Sequence, residues 1–493
     1  MTAVPGANSA LTFATAWPEA FLGGAACVIL IVDLLLPDSR RQVSYWLTQA
    51  ALVVAAWLTW ISSDETPVRA LSGMFVTDKL ADALKLFAYL SAGLTLLYSR
   101  TYLAARGLFR GETFVLTLTS VLGMMVMISA ASFVTLFLGL ELMSLSLYAL
   151  IALQRDSPRA VEAAMKYFVL GAIASGLLLY GMSMLYGATG TLEVTGVADA
   201  IVSGRSSGVI LVFGLVFVVS AIAFKIGAVP YHMWIPDVYD GAPTAVTLLV
   251  GSAPKLAAFA FAMRLLVGSL SALAFDWQGM LVVLCVLSML LGNFVAIAQT
   301  SIKRMLAYST IANMGFMLLG FLSVTGDGSR TTLDGYSAAM FYTVTYVLTT
   351  LVSFGIVLLL SREGFEADRL DDLKGLNQRE PWYAFMMLLA MFSLAGVPPT
   401  VGFYAKFSVI AAAVDVGLVW LAVVAVLASI VGAFYYLRVV KLMYFDDAVD
   451  TAPIEARGDT RVLLSLNGLA LLLLGIFPQS LMGWCVLALR HSY

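Results

Sequence analysis

Apolar stretches of about 20 residues, each closed by a short polar connection, follow one another along almost the whole 493-residue chain. Bilayer hydrocarbon about 30 Å thick is crossed by a helix of roughly that length, because in lipid the backbone must satisfy its own hydrogen bonds. Windows of about 19 residues place helices near 17–36, 44–62, 79–98, 112–129, 132–153, 159–187, 208–228, 244–267, 278–299, 302–324, 335–361, 380–412, 414–440 and 461–486. The pattern predicts an all-α polytopic membrane protein of about fourteen transmembrane helices. Its weakest segments are the third, which carries Lys79, Asp82 and Lys85, and the long twelfth.

Composition narrows the function classes. The chain is 61% hydrophobic and 12% charged, whereas soluble domains are about a quarter charged. The formal net charge of -2 gives no electrostatic reason for a nucleic-acid partner. Cys27, Cys285 and Cys485 lie far apart in apolar runs, which excludes a disulfide framework, a CxxC site and a four-cysteine cluster. Two histidines, His232 and His491, are too few to ligate a pair of haems. No phosphate loop or dinucleotide fingerprint follows a strand, so neither a cofactor nor a metal is expected in this chain. Met1 to Ala16 has no basic region, and the first span is expected to be retained rather than cleaved.

Arginine and lysine set the orientation. Alternate connections hold seventeen basic residues against five, the poorer set being Arg69, Arg205, Arg264, Arg330 and Arg490. The rich face is expected to be cytoplasmic and both termini non-cytoplasmic.

An internal repeat is visible. Phe224 to Pro230, FKIGAVP, aligns with Phe392 to Pro398, FSLAGVP, at an offset of 168, and each copy interrupts an apolar segment with glycine and proline. Five helices separate the copies, so the second is inverted. Inverted repeats with helices broken at corresponding positions point to an ion path. The expected organisation is helices 1–3 over 1–111, a five-helix repeat over 112–267, a second over 278–440, and a loop with the last helix over 441–493.

A charge at mid-span costs about 2.5 to 3.5 kcal/mol on insertion scales, so each one needs a reason. Five qualify: Glu141, Lys166, Lys225, Lys255 and Lys406. Lys225 precedes Gly227 and Pro230, Lys255 follows Pro254, and Lys406 follows Pro398 and Pro399. Proline frees a carbonyl that needs protein or water nearby, so these charges imply a hydrated interior. An amine can be held charged or neutral by its surroundings, and a carboxylate favours the charged form. Glu141 is expected to pair with Lys225. The competing reading is a set of buried salt bridges and snorkelling lysines that only hold helices together; four lysines facing one carboxylate cannot all be neutralised that way. Glu162 fits an i,i+4 pair with Lys166, while Glu19 and Asp33 are expected to anchor the ends of the first span. His232, in VPYHMWIPDVYDGAPT, is a candidate for proton uptake or an ordinary hydrogen-bonded histidine.

At FKIGAVPYHMWIPDVYDGAPT the chain resembles the antiporter-like, proton-translocating subunits shared by respiratory complex I and the Mrp-type cation/proton antiporters. GLELMSLSLYAL around Glu141 and KRMLAYSTIANMGFMLLG from Lys303 to Gly320 resemble the same family, over residues 112 to 412. SLAGVPPTVGFYAKF is similar to the N-type subunits, whose twelfth helix carries lysine where the M type has glutamate. The L type extends further, with a long lateral helix.

The resemblance implies a proton path through Glu141, Lys166, Lys225, Lys255 and Lys406, in a multi-pass subunit of a bacterial inner membrane. It implies NADH:quinone oxidoreductase (translocase) activity for the whole complex, with FMN, iron-sulfur clusters and quinone chemistry outside this chain. The implied partners are an M-type subunit, small membrane subunits and the lipid bilayer. The alternatives are a component of an Mrp-type sodium/proton antiporter and a membrane scaffold.

Overall fold

The computed structural model describes residues 15–204, 208–322, 333–449, 452, 454 and 456–493. Arg205 and Arg330 of the orientation count, and most of the leading stretch, lie outside them. The described chain is helical apart from a small antiparallel hairpin of β1 (Val68–Ala70) and β2 (Phe75–Thr77).

Three helices come first: α1 (Trp17–Leu35), α2 (Gln42–Ile61) and α3 (Lys79–Ala105). Then come α4 (Gly111–Ile128), α5 (Phe133–Ile151), α6 (Pro158–Thr189) and the short α7 (Val194–Val202). A broken span, α8 (Val209–Ile226) and α9 (Trp234–Gly241), leads into α10 (Thr244–Gly251) and α11 (Ala253–Ala262). The second half holds α12 (Ala274–Ile297), α13 (Ile302–Leu319), α14 (Leu333–Leu360) and a single turn, α15 (Leu376–Arg379). It ends with a second broken span, α16 (Pro381–Ala395) and α17 (Val401–Asp415), then α18 (Val419–Phe445), α19 (Gly458–Ile476) and α20 (Gln479–Arg490).

Among the described residues, twelve helical segments are long and apolar enough to cross a membrane. The other two crossings are α13, where Lys303, Arg304, Ser309, Thr310 and Asn313 dilute the apolar content, and the interrupted α16–α17. All fourteen expected segments are therefore present. The third is a regular helix in spite of its charges, started by the Asp78 side chain, which accepts from the Ala81 N–H at 2.8 Å.

Small residues let helices approach closely in lipid. A Cβ on Gly123 would lie 2.3 Å from the Met143 nitrogen, and one on Gly292 would lie 2.6 Å from that of Ala312, so α4 on α5 and α12 on α13 tolerate nothing larger. These two glycines differ by 169 positions. So do the N-cap serines Ser132 and Ser301, and the glycines that end the two broken helices, Gly227 (φ +86°) and Gly396 (φ +83°). The offset of 168 read from FKIGAVP and FSLAGVP is thus one residue short. The left-handed glycine that closes each helix fixes the register, and the sequence match had placed Gly227 opposite Ala395. In the corrected register Lys225 faces Leu394, Lys406 faces Asp237 and Glu141 faces Thr310. The repeats share the break and not the charges.

Helix α14, packed against α10, α11 and α17, is buried along almost its entire length. Two residues counted as loop charges are also interior. Lys303 is 3% exposed and donates to the Ala242 carbonyl at 2.9 Å, and Arg264 forms a two-pronged pair with Asp78 at 2.6 and 2.9 Å. Lys303 is the second residue of α13 and Arg264 lies two residues beyond α11, in a π-helical segment over Met263–Ser269; at both places packing and not hydropathy decides exposure.

Candidate functional site

Gly227 ends α8 in a left-handed conformation, and Gly227 and Ala228 both turn their N–H groups back onto the Ala223 carbonyl. The Ile226 carbonyl is left without a helical donor, and Lys255, reaching across from α11, donates to it at 2.9 Å. The Lys255 ammonium also stands 5.4 Å from the centre of the Trp234 ring, whose Nε1 holds the Phe224 carbonyl at 3.0 Å. The second break repeats the device. Gly396 ends α16, and the freed Ala395 carbonyl accepts from Lys406 at 3.0 Å; Lys406 also donates to Ser429 Oγ at 3.0 Å and lies 4.8 Å from the Phe316 ring. In the first repeat the lysine comes from another span, and in the second it sits on the far half of the broken helix itself.

Lys225 does not pair directly with Glu141. Its Nζ donates to Ser144 Oγ at 2.6 Å, while the Glu141 carboxylate accepts from Ser175 Oγ on α6. Ser144 is three residues beyond Glu141 on α5, so carboxylate and amine share one side of that helix, and their interaction is through space. Lys225, Lys255 and Lys406 are buried, and among the described residues none of them has a carboxylate within ion-pair distance.

Lys166 stands apart from this group. It is half exposed near the start of α6, pairing with Glu162 at 2.9 Å and with Asp237 at 2.8 Å, and Asp237 also accepts from Arg304 at 3.0 Å. The expectation of a mid-span lysine gives way to a solvated ion-pair network, because the apolar run of α6 begins only after residue 166. His232 lies in the break between α8 and α9, half buried.

Sequence reasoning missed two groups. Around α14, Tyr342 donates to Asn313 Oδ1 at 2.7 Å and Tyr346 to Thr310 Oγ1 at 2.7 Å. Asn313 reaches Tyr436 at 3.2 Å, Ser309 lies 2.5 Å from Tyr436, and Thr349 Oγ1 lies 3.1 Å from Ser393 Oγ. These neutral groups run toward Ala395 and Lys406 and offer donors and acceptors in series; the polar residues of STIANMGF were the available signal. The second group is Glu19 with Lys85, a buried pair at 2.6 Å: Glu19 stands in the first turn of α1, at the end of the span as expected, and its partner lies on α3. Among the described residues no three His, Cys, Asp or Glu side chains gather as a metal site requires.

Comparison with known proteins agrees with this geometry. The family described as NADH:quinone oxidoreductase/Mrp antiporter, transmembrane region, matches residues 130–432. NADH-quinone oxidoreductase subunit N of Thiobacillus denitrificans is 59% identical, with 98% of this chain and 99% of that protein covered. Subunit N of Nitrosomonas europaea is 57% identical, over 97% and 98% of the two chains. A chain of respiratory complex I from Thermus thermophilus superposes with a TM-score of 0.78 at 30% identity, covering 94% of this chain and 98% of that one. A chain of the Mrp complex from Dietzia shares the fold, with a TM-score of 0.83 at 23% identity over 97% of each chain. On the family match and the near full-length identity, the chain belongs to the NADH:quinone oxidoreductase/Mrp antiporter transmembrane family.

Proposed function

We propose that the chain is a proton-translocating membrane subunit of an NADH:quinone oxidoreductase, moving protons through Glu141, Lys225, Lys255 and Lys406 along the two helix breaks. Lys166 and His232 serve the uptake side in this reading. FMN, iron-sulfur clusters and quinone chemistry reside in other subunits, and the neighbours are an M-type antiporter-like subunit and small membrane subunits. The complex sits in a bacterial inner membrane with both termini of this chain outside the cytoplasm.

The observation that carries the proposal is the state of Lys225, Lys255 and Lys406. Each is buried and held by a hydroxyl, a freed carbonyl or both, without a counter-ion in contact. A buried pair in contact locks its charge, because removing either partner strands the other. An amine held only by neutral acceptors can change protonation as a nearby charge changes. Glu141, bonded to Ser175 beside the Lys225–Ser144 contact, supplies such a charge. The chain's 59% identity to an NADH-quinone oxidoreductase subunit along nearly its full length favours a redox-driven complex over a sodium/proton antiporter.

The test is proton uptake and NADH oxidation in membrane vesicles matched for complex content. Lys255→Ala is expected to abolish pumping by this subunit while the complex assembles. Wild-type pumping by that variant removes the relay.

A further inference from the structure

We propose that protons reach Lys255 from the cytoplasmic face along a hydrated seam on α3, taken up at Glu366 and Tyr102 and passing Ser99, Thr95 and Ser91. The inference rests on the relay proposed above and gives it an uptake route.

The first observation concerns three hydroxyls. Ser91, Thr95 and Ser99 are 1%, 3% and 1% exposed, and among the described residues none of their hydroxyl oxygens has a hydrogen-bond partner. Mid-span hydroxyls elsewhere bond carbonyls, as Thr117 does that of Thr113 and Thr343 that of Ala339; Ser129 and Ser269, at helix ends, share the unpartnered state. Buried polar groups are satisfied by protein or by ordered water, so water is the partner left to these three. Their spacing of four puts them on one face of α3, and Tyr102 continues that face toward the cytoplasm. From Ser91 to Tyr102 the rise is about 16 Å at 1.5 Å per residue.

The outer end of the seam is built for uptake. Tyr102 Oη donates to Glu366 at 3.0 Å and accepts from the Thr244 N–H at 2.9 Å; Thr244 Oγ1 also donates to Glu366, at 2.5 Å, and Arg106 pairs with the same carboxylate. A cavity of about 170 Å³ opens there, lined by Tyr102, Asp240, Lys303, Glu366 and Asp368 among others. Glu366 is ion-paired with Arg106, and Asp240 and Asp368 with Arg159, so these carboxylates act on protons at the mouth through their field.

The inner end follows from register. Helix α3 runs antiparallel to α10 and α11 and packs against both. The pairing is pinned at the cytoplasmic end by Thr244 on Tyr102 and at the opposite end by Arg264 on Asp78. Counted from the Thr244–Tyr102 contact, Lys255 is level with Ser91, and counted from Arg264–Asp78 it is level with Phe87, so the inner end of the seam lies within about one helical turn of Lys255. Tyr239 Oη, also buried, faces Gly251, four residues before Lys255.

The assembled complex provides the test. Electron cryomicroscopy at a resolution that shows water should find ordered water on the hydroxyls of Ser91, Thr95 and Ser99. Hydroxyls turned onto the carbonyls four residues back, with no water beside them, would overturn the seam. In vesicles, Thr95→Val combined with Ser99→Ala should slow proton uptake several-fold, and Thr95→Ser should behave as wild type. Unchanged uptake in the Val/Ala variant, with Lys255→Ala inactive, defeats the seam and leaves the relay standing. Unchanged uptake in Lys255→Ala defeats the relay itself.

Discussion

Lys255 Nζ and the Ile226 carbonyl oxygen stand 2.9 Å apart, joining α11 to the open end of α8. The contact exists because Gly227 leaves the helix with φ +86° and frees that carbonyl. A non-glycine residue in this conformation costs roughly 1–2 kcal/mol, and a Cβ at 227 would also lie 1.9 Å from Ile235 Cδ1. Gly227→Ala is therefore expected to lower the thermal stability of the assembled complex and to reduce pumping more than the lost stability explains, since the acceptor of Lys255 moves. Differential scanning fluorimetry alongside proton uptake checks both parts.

Arginine at 225 or 406 separates a relay from a scaffold. Guanidinium keeps the positive charge but does not release its proton in proteins. Lys225→Arg and Lys406→Arg should both assemble and both fail to pump; a structural role for the lysines predicts rescue. Proton uptake in vesicles matched for complex content decides, and wild-type rates in both variants would end the relay reading.

Glu141→Gln keeps the shape of the side chain and its contact with Ser175 while removing the field at Lys225. Pumping is expected to fall without loss of assembly, and NADH oxidation to fall with it where coupling is tight. Because Ser144 is what touches Lys225, Ser144→Ala should give a smaller defect than Glu141→Gln. The reverse order would mean that the hydroxyl, not the carboxylate, governs the lysine.

The Arg264–Asp78 pair is buried and two-pronged. Removing one partner of such a pair costs about 3–5 kcal/mol because the other charge is stranded. Arg264→Ala should sharply lower the amount of assembled subunit, and the double change Arg264→Met with Asp78→Leu should recover much of it. Quantitative immunoblots of membranes report the difference, and equal losses in the two variants would show that burial of charge is not the cause.

The distribution of arginine and lysine predicts that Tyr493 and the loop 363–379 lie on opposite faces. Reporter fusions at the two positions should give opposite signals. Three spans separate the two positions, and equal signals would require an even number between them.

The sequence alone determined the number and placement of the spans, because crossing a bilayer is a local requirement met within each apolar run. It also located both helix breaks, since glycine and proline act on their own backbone, and it singled out Lys225, Lys255 and Lys406 by the cost of charge in lipid. What each of these residues touches was decided by tertiary structure. Glu141 and Lys225 are 84 positions apart, and the packing of the helices gives the lysine to Ser144, three residues beyond Glu141, instead. Lys85 finds Glu19 across two helices, and Lys166 faces solvated carboxylates. The repeat register is 169 because a left-handed glycine, not the best local match, sets where each helix stops. Hydropathy measures transfer from water one residue at a time. A hydrogen bond depends on atoms meeting within a few tenths of an ångström, and in this protein only the packing of the fourteen spans brings those atoms together.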